Sequence, residues 1–167
     1  MTNFDMIFDE SGFRFDFSKC VSAYRADLMK YHDLPALDFV AEIEDCILFI
    51  EIKNPDHNDA TEQSRFEFLK DLCSNVYPYM ISDKYKNELL RVWSRGGEFI
   101  KPILCVFVLE FSILSKTDKA RLQEKIFNRL PLSLNKAEFG GKKHFIKRFE
   151  LCSVNEFRCL FPEITVH

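Results

Sequence analysis

The sequence is poor in residues that break or cross-link a chain. Its 167 residues include 5 glycines, 6 prolines and 6 cysteines, and no two cysteines are closer than seven positions. This spacing excludes the Cys-x2-Cys pairs that bind zinc or catalyse disulfide exchange. The scarcity of glycine and proline excludes collagen-like and low-complexity chains. Because most of the cysteines lie in apolar runs, we expect reduced core residues of a cytoplasmic protein.

Long hydrophobic segments are also lacking. No apolar run reaches the roughly 20 residues that a membrane-spanning helix needs. Residues 1–5 lack the basic and apolar regions of a signal peptide. We therefore expect a cytoplasmic protein without membrane contact. A chain of this length can bury about 70% of its unfolded surface, so we expect a single domain over residues 1–167.

Acidic residues outnumber basic ones, but unevenly along the chain. The net charge of −3 combines −9 over residues 1–62 with +6 over residues 63–167. One part of the chain could bind a cation while the other meets a polyanion. An unevenly solvated surface would give the same charges, so charge alone does not select a function.

The hydrophobic pattern predicts an α/β domain with a mixed β-sheet flanked by helices. Strands are predicted as an N-terminal hairpin over residues 6–17, a second hairpin over 37–52, and single strands over 102–111 and 145–152. Helices are predicted over residues 18–33, from 59 with a stripe of Phe66, Leu69 and Leu72, over 83–97 after a break at Pro78, over 118–130, and from 153. The strand over 102–111 follows helices, which favours a parallel crossover.

The second hairpin brings acidic residues together. If Glu44 and Asp45 form its two-residue turn, position 40 faces 49 and Asp38 faces Glu51. Lys53 lies on the same face as Glu51, because side chains alternate along a strand. Two carboxylates about 5 Å apart repel by roughly 3 kcal/mol at an effective dielectric of about 20. Lys53 or a proton could offset part of this repulsion, whereas a divalent cation would satisfy both carboxylates, and oxygen ligands favour Mg²⁺.

Asp38, a gap of twelve residues, and Glu51-Ile52-Lys53 at the end of an apolar strand resemble the signature of the PD-(D/E)XK nuclease superfamily. The elements predicted over residues 18–111 also resemble the helix, strands, helix and strand of this restriction-endonuclease-like core. The resemblance implies that Asp38, Glu51 and the Ile52 carbonyl coordinate Mg²⁺, or Mn²⁺, while Lys53 orients the attacking water. It implies a hydrolase that cleaves phosphodiester bonds, in DNA rather than RNA.

Two further residues are compared with the superfamily pattern. The acid that its first helix often supplies has only Asp27 as a candidate here. Gln63 begins the helix after the motif and could support the site, although a plain helix surface explains it more simply. Leu37 stands where the superfamily usually has a proline.

A basic segment near the C-terminus is the candidate nucleic-acid contact. It contains Lys142, Lys143, Lys147 and Arg148. Such side chains bind phosphates through counterion release, but a charged strand edge that prevents aggregation would have the same composition. The resemblance leaves open a catalytically inactive module that binds nucleic acid or protein, and also a homodimer or a partner protein. An α/β domain with an unrelated role is the third alternative.

Overall fold

Two β-sheets and four helices form the described part of the computed structural model, which comprises residues 6–29, 34–94, 101–131 and 146–167. The strands are β1 (Ile7–Glu10), β2 (Phe13–Asp16), β3 (Ser22–Arg25), β4 (Phe39–Glu42), β5 (Ile47–Lys53), β6 (Ile103–Leu109), β7 (Ile146–Cys152) and β8 (Thr165–Val166). The helices are α1 (Glu62–Cys73), α2 (Val76–Ser94), α3 (Lys116–Phe127) and α4 (Val154–Leu160).

The larger sheet is mixed, as predicted. Its strand order is β3-β4-β5-β6-β7, with antiparallel pairing from β3 to β5 and parallel pairing from β5 to β7. The smaller, antiparallel sheet has the order β1-β2-β8. The mixed α/β class and the parallel crossover into β6 are therefore confirmed.

Both predicted hairpins are present. The turn between β1 and β2 has positive φ at Ser11 (52°) and Gly12 (82°), as in a type I′ turn. A Cβ on Gly12 would lie 2.3 Å from the Cδ2 atom of His57, so this turn packs directly on the loop after β5. In the second hairpin Val40 faces Phe49, which is the predicted register.

The helix predicted over residues 18–33 is wrong. Residues 22–25 instead form β3, which pairs with β4. Val21 and Leu28, two apolar residues that suggested the helix, are 65% and 68% exposed, whereas Tyr24 packs against the core as part of β3. Long-range pairing with β4 thus overrides the local helical pattern.

The ends of the other helices correct several details. Thr61, rather than Asp59, caps α1, because its hydroxyl accepts a hydrogen bond from the Ser64 N–H. Leu72 of the predicted stripe is buried, whereas Phe66 is exposed. Helix α2 begins before Pro78, which is its third residue, where the backbone N–H needs no partner within the helix. The predicted break was wrong, and the predicted end at residue 97 lies outside the described residues.

The last two helices begin with serine caps. Ser115 caps α3, which begins at Lys116, two residues before the predicted start at 118. Ser153 caps α4 at the predicted start of this helix and, with Glu156, forms a capping box.

The five-stranded sheet has a hydrophobic core on each face. Helices α1, α2 and α3 cover one face, where Phe49 and Phe107 are buried. The small sheet and α4 cover the other face with an aromatic cluster of Phe15, Phe17, Phe39 and Phe157. Because side chains alternate along β5, Glu51 lies on the same face as Phe49, toward the helices.

The cysteines fulfil the core prediction only in part. Six are free, and Cys20, Cys46, Cys105 and Cys152 are buried. Cys73 and Cys159 are exposed, because their helices bury neighbouring residues instead, so the prediction is wrong for these two. Across the described ranges, no helix has the length and apolar character required to cross a membrane.

Candidate functional site

The register of the β4–β5 hairpin brings three of the predicted site residues together. Lys53 Nζ lies 3.1 Å from Glu51 Oε1 and 4.0 Å from Asp38 Oδ2. Asp38 directly precedes β4, and its Oδ2 accepts a hydrogen bond of 2.7 Å from the Ile52 N–H. The Asp38 carboxylate therefore extends the hydrogen bonding of the hairpin to the residue before β4. This hydrogen bond holds the carboxylate beside the last residues of β5.

A fourth residue, Lys84 of α2, completes this group. Its Nζ lies 2.5 Å from Glu51 Oε1. We call Asp38, Glu51, Lys53 and Lys84 the carboxylate–lysine cluster. Sequence reasoning missed Lys84. Its helix stripe, which also carries the buried Ile81 and Glu88, indicates a side chain directed toward the core but does not identify Glu51 as its partner.

Both carboxylates of the cluster are buried. Glu51 is 0% and Asp38 is 7% exposed. Burial and then the neighbouring Glu51 charge raise the pKa of Asp38 to about 7, although Lys53 and the Ile52 N–H oppose this increase. Burial lowers the pKa of Lys53, but the Glu51 and Asp38 charges outweigh it and give a net increase. Lys53 therefore stays positively charged at neutral pH, whereas the Asp38 carboxyl changes between its protonated and ionised forms near pH 7.

The cluster contains carboxylate oxygens, the type of ligand that Mg²⁺ prefers. Glu51 Oε2 is buried and has no hydrogen-bond partner within the described part of the chain. Mg²⁺ commonly binds through one or two carboxylates and keeps water or substrate phosphate in its other positions. The cluster provides two carboxylates. No group of three or more His, Cys, Asp or Glu residues suited to a metal occurs among the described residues.

These contacts involve the Ile52 N–H but not its carbonyl, which is the group predicted to coordinate the metal. Its N–H is the group that bonds Asp38. Coordination of a metal by its carbonyl remains a prediction from the resemblance.

A cleft opens beside Lys53, the most exposed member of the cluster at 32% of its side chain. The cleft has a volume of about 290 Å³ and lies between Ser11 of the N-terminal hairpin and Arg65 of α1. Asn54, directly after β5, also lines it. A ligand in this cleft would contact Lys53 while the carboxylates stay buried behind it.

The two supporting candidates have other partners. Asp27 accepts hydrogen bonds of 3.0 and 2.8 Å from the Arg25 guanidinium, and it lies after a strand rather than on a helix. Gln63 is exposed and donates a 2.7 Å hydrogen bond to Glu67 one turn along α1. These contacts favour a surface role for both residues, and the expectation of a first-helix acid at Asp27 is wrong because that helix is replaced by β3.

The basic segment is described only in part. Lys142 and Lys143 lie outside the described residues. Lys147 and Arg148 are exposed on β7, the last strand of the described five-stranded sheet, and Arg148 forms an ion pair with Glu150. This position agrees with the alternative of a charged strand edge, and nucleic-acid binding by these residues remains a prediction.

Likeness to characterised proteins would offer independent information on function. Comparison of the chain with protein-family models, with curated proteins and with solved structures finds no match in any of the three. The function must therefore be inferred from the carboxylate–lysine cluster and the cleft beside it.

Proposed function

We propose that the protein is a metal-dependent nuclease of the restriction-endonuclease-like fold, which hydrolyses phosphodiester bonds in DNA rather than RNA. The observation that carries this proposal is the buried Glu51 Oε2, which has no hydrogen-bond partner among the described residues, in a cluster that also contains the Asp38 carboxylate. A buried carboxylate oxygen without a partner is costly, and a cation would remove this cost.

The order of the elements supports the proposed fold. Strands β3, β4 and β5 are followed by two helices and by β6, which pairs in parallel with β5. This order resembles the strands, helix and strand of the superfamily core. In the described residues β3 is preceded by the N-terminal hairpin rather than by the helix that the superfamily has there.

The cluster would supply the groups that phosphodiester hydrolysis needs. Asp38 and Glu51 would hold Mg²⁺ or Mn²⁺, which supplies Lewis acidity toward the phosphate and toward water. Lys53 places a compact positive charge at the cleft, where it can orient the attacking water and stabilise negative charge on the phosphate. Lys84 would act indirectly, because its ion pair holds Glu51 Oε1 in place.

One observation favours the alternative, a catalytically inactive module of the same fold that binds nucleic acid or protein. The cluster has two carboxylates and two ammonium groups, so its formal charges cancel without a metal. Such a closed network could serve structure alone. The two proposals differ in whether a divalent cation enters the cluster.

Cleavage of labelled DNA in Mg²⁺ or Mn²⁺ tests the proposal. We expect Asp38→Ala, Glu51→Gln and Lys53→Ala to lower the cleavage rate by at least about 100-fold, because each change removes a charge that acts on the transition state. Glu42→Gln is the matched control for Glu51→Gln, since Glu42 is in the same hairpin but pairs with Lys101 at its other end. Circular dichroism would establish that the variants are folded.

Cleavage that persists at the wild-type rate in these variants would disprove the catalytic assignment. DNA binding by the wild-type protein without cleavage in either metal would instead select the inactive module.

A further inference from the structure

We propose that the cleft beside Lys53 binds one unpaired nucleotide, so that the substrate is a single-stranded segment or end of DNA. This inference rests on the proposed function for its claim that the bound strand is a substrate. The cleft assignment itself depends on three properties of the described residues: size, charge and an aromatic wall.

The size of the cleft suits a single nucleotide. Its volume of about 290 Å³ is close to the lower limit of the roughly 300–1,000 Å³ that small-molecule sites have. The turn that carries Ser11 forms one wall, and it is held in place by the packing of Gly12 on His57.

The charge of the cleft suits a phosphate. Lys53 and Arg65 both line it. Arg65 is partly neutralised by Asp56, to which its Nη2 donates, but its Nε has no partner within the described part of the chain. The Asn54 Oδ1 atom is also buried without a partner there, while its Nδ2 donates to the Ser11 carbonyl. The phosphate of a nucleotide offers acceptors for the two cations.

The aromatic wall is Phe68 of α1, which also lines the cleft. Its ring is held edge-on by Tyr77, at 5.1 Å between ring centroids, and by Phe111, at 5.5 Å. Stacking of a base on an aromatic side chain stabilises binding and tolerates any base sequence. A base within a duplex is already stacked and paired, so this wall favours an unpaired base.

Ser64 provides a test that preserves the fold, because it lines the cleft at the third helical position after the Thr61 cap. A glutamate or a glutamine at this position completes a capping box with Thr61, so both variants should be at least as stable as the wild type. Only Ser64→Glu brings a negative charge to the cleft. The uncharged Ser64→Gln variant is therefore its matched control.

Binding of a fluorescein-labelled oligothymidylate, and of a labelled hairpin duplex without free ends, would be measured by fluorescence polarisation in EDTA. We expect the single strand to bind more tightly, Ser64→Glu to weaken it by about 10-fold relative to Ser64→Gln through charge repulsion, and Phe68→Leu to weaken it by about 10-fold through lost stacking. Thermal unfolding of each variant would identify a loss of fold. Equal affinity of the two Ser64 variants, or of the two DNA forms, would overturn the inference.

A parallel cleavage assay in Mg²⁺ separates this inference from the proposed function. Cleavage by the wild type, together with unchanged binding in the Ser64→Glu and Phe68→Leu variants, would overturn the cleft assignment and leave the nuclease proposal intact. Binding that follows the expected pattern without any cleavage would support the cleft assignment and disprove the nuclease proposal.

Discussion

Helix α2 takes part in two buried charged sites that are built differently. In the first, the carboxylate–lysine cluster, Lys84 contacts Glu51, whose second oxygen has no partner in the described part of the chain. In the second, which we call the Glu88–Arg91 pair, Arg91 donates to one oxygen of Glu88 at 3.2 Å and the Tyr24 hydroxyl donates to the other at 3.1 Å. The same helix thus contacts one carboxylate whose two oxygens both accept hydrogen bonds and one whose second oxygen has no partner among the described residues, although the buried Arg91 Nε also lacks a partner there.

The difference indicates which site is structural. Arg91 also donates to the Leu34 carbonyl at 2.7 Å, so the Glu88–Arg91 pair fastens α2 to β3 and to the segment before β4. Buried polar groups are normally satisfied, and exceptions concentrate at functional sites. We therefore propose a structural role for the Glu88–Arg91 pair, which links α2 to two other segments, and a functional role for the carboxylate–lysine cluster.

The largest effect on stability is expected from breaking the Glu88–Arg91 pair. Arg91→Ala leaves the buried Glu88 without its cation, which should lower the free energy of unfolding by about 3–5 kcal/mol. Urea unfolding monitored by circular dichroism would measure this loss. Cleavage per folded molecule should not change, because no contact links Arg91 to Asp38 or Lys53 in the described residues.

The matched control is Arg121→Ala on α3, where the arginine is exposed and pairs with Asp118 at 3.7 Å. An exposed pair of this kind contributes about 0–1 kcal/mol. A similar small loss in Arg91→Ala would contradict the structural role of the Glu88–Arg91 pair.

The hairpin that carries Asp38 and Glu51 could be predicted from the sequence, because its register depends on local information. The turn at Glu44-Asp45 and the alternation of side chains together determine which residues face one another. The facing of Val40 and Phe49 confirms this register. Three of the four members of the carboxylate–lysine cluster therefore follow from one turn and one period.

The missing parts depend on contacts between distant segments. β3 has a pattern compatible with a helix, and only its pairing with β4 makes it a strand. Lys84 reaches Glu51 across 33 positions, through packing of α2 on the sheet. Neither a local period nor a motif reports such contacts, so the fourth member of the cluster could not be placed from sequence alone.

A second prediction concerns how the stability of the folded protein depends on pH through Asp38 of the carboxylate–lysine cluster. The folded protein raises the pKa of Asp38 from 3.8 to about 7, so the folded state binds more protons than the unfolded state between these values. This contribution to stability is fully present below pH 3.8 and is lost as the pH rises to about 7, with a magnitude of up to about 4 kcal/mol.

Asp38→Asn removes this titration, because the amide is neutral at every pH. We expect the variant to be more stable than the wild type above pH 7, although it should not cleave DNA. Thermal unfolding between pH 5 and pH 8, a range that includes the pKa of about 7 of Asp38 in the folded protein, would measure the difference. If the stabilities of the wild type and the variant change with pH in parallel, burial and Glu51 do not raise the pKa of Asp38 in the folded protein.

The smallest effect concerns Lys84, which distinguishes a closed ion network from a metal site. Lys84→Met removes one of the two ammonium partners of Glu51 and keeps the other, Lys53, so the loss of unfolding free energy should be about 1–3 kcal/mol. It also changes the formal charge of the cluster from zero to negative. Mg²⁺ should therefore stabilise Lys84→Met more than the wild type, because binding to the folded state alone raises its stability.

The control for this variant is Lys86→Met on the same helix, since Lys86 pairs with the exposed Asp83 at 3.1 Å. It should show neither the loss of stability nor the gain with Mg²⁺. Thermal unfolding with EDTA and with increasing Mg²⁺ would measure both quantities. If Mg²⁺ shifts the unfolding of Lys84→Met and Lys86→Met equally, the cation does not enter the cluster. The four charges would then form a structural network like the Glu88–Arg91 pair, and the functional contrast between the two sites would be lost.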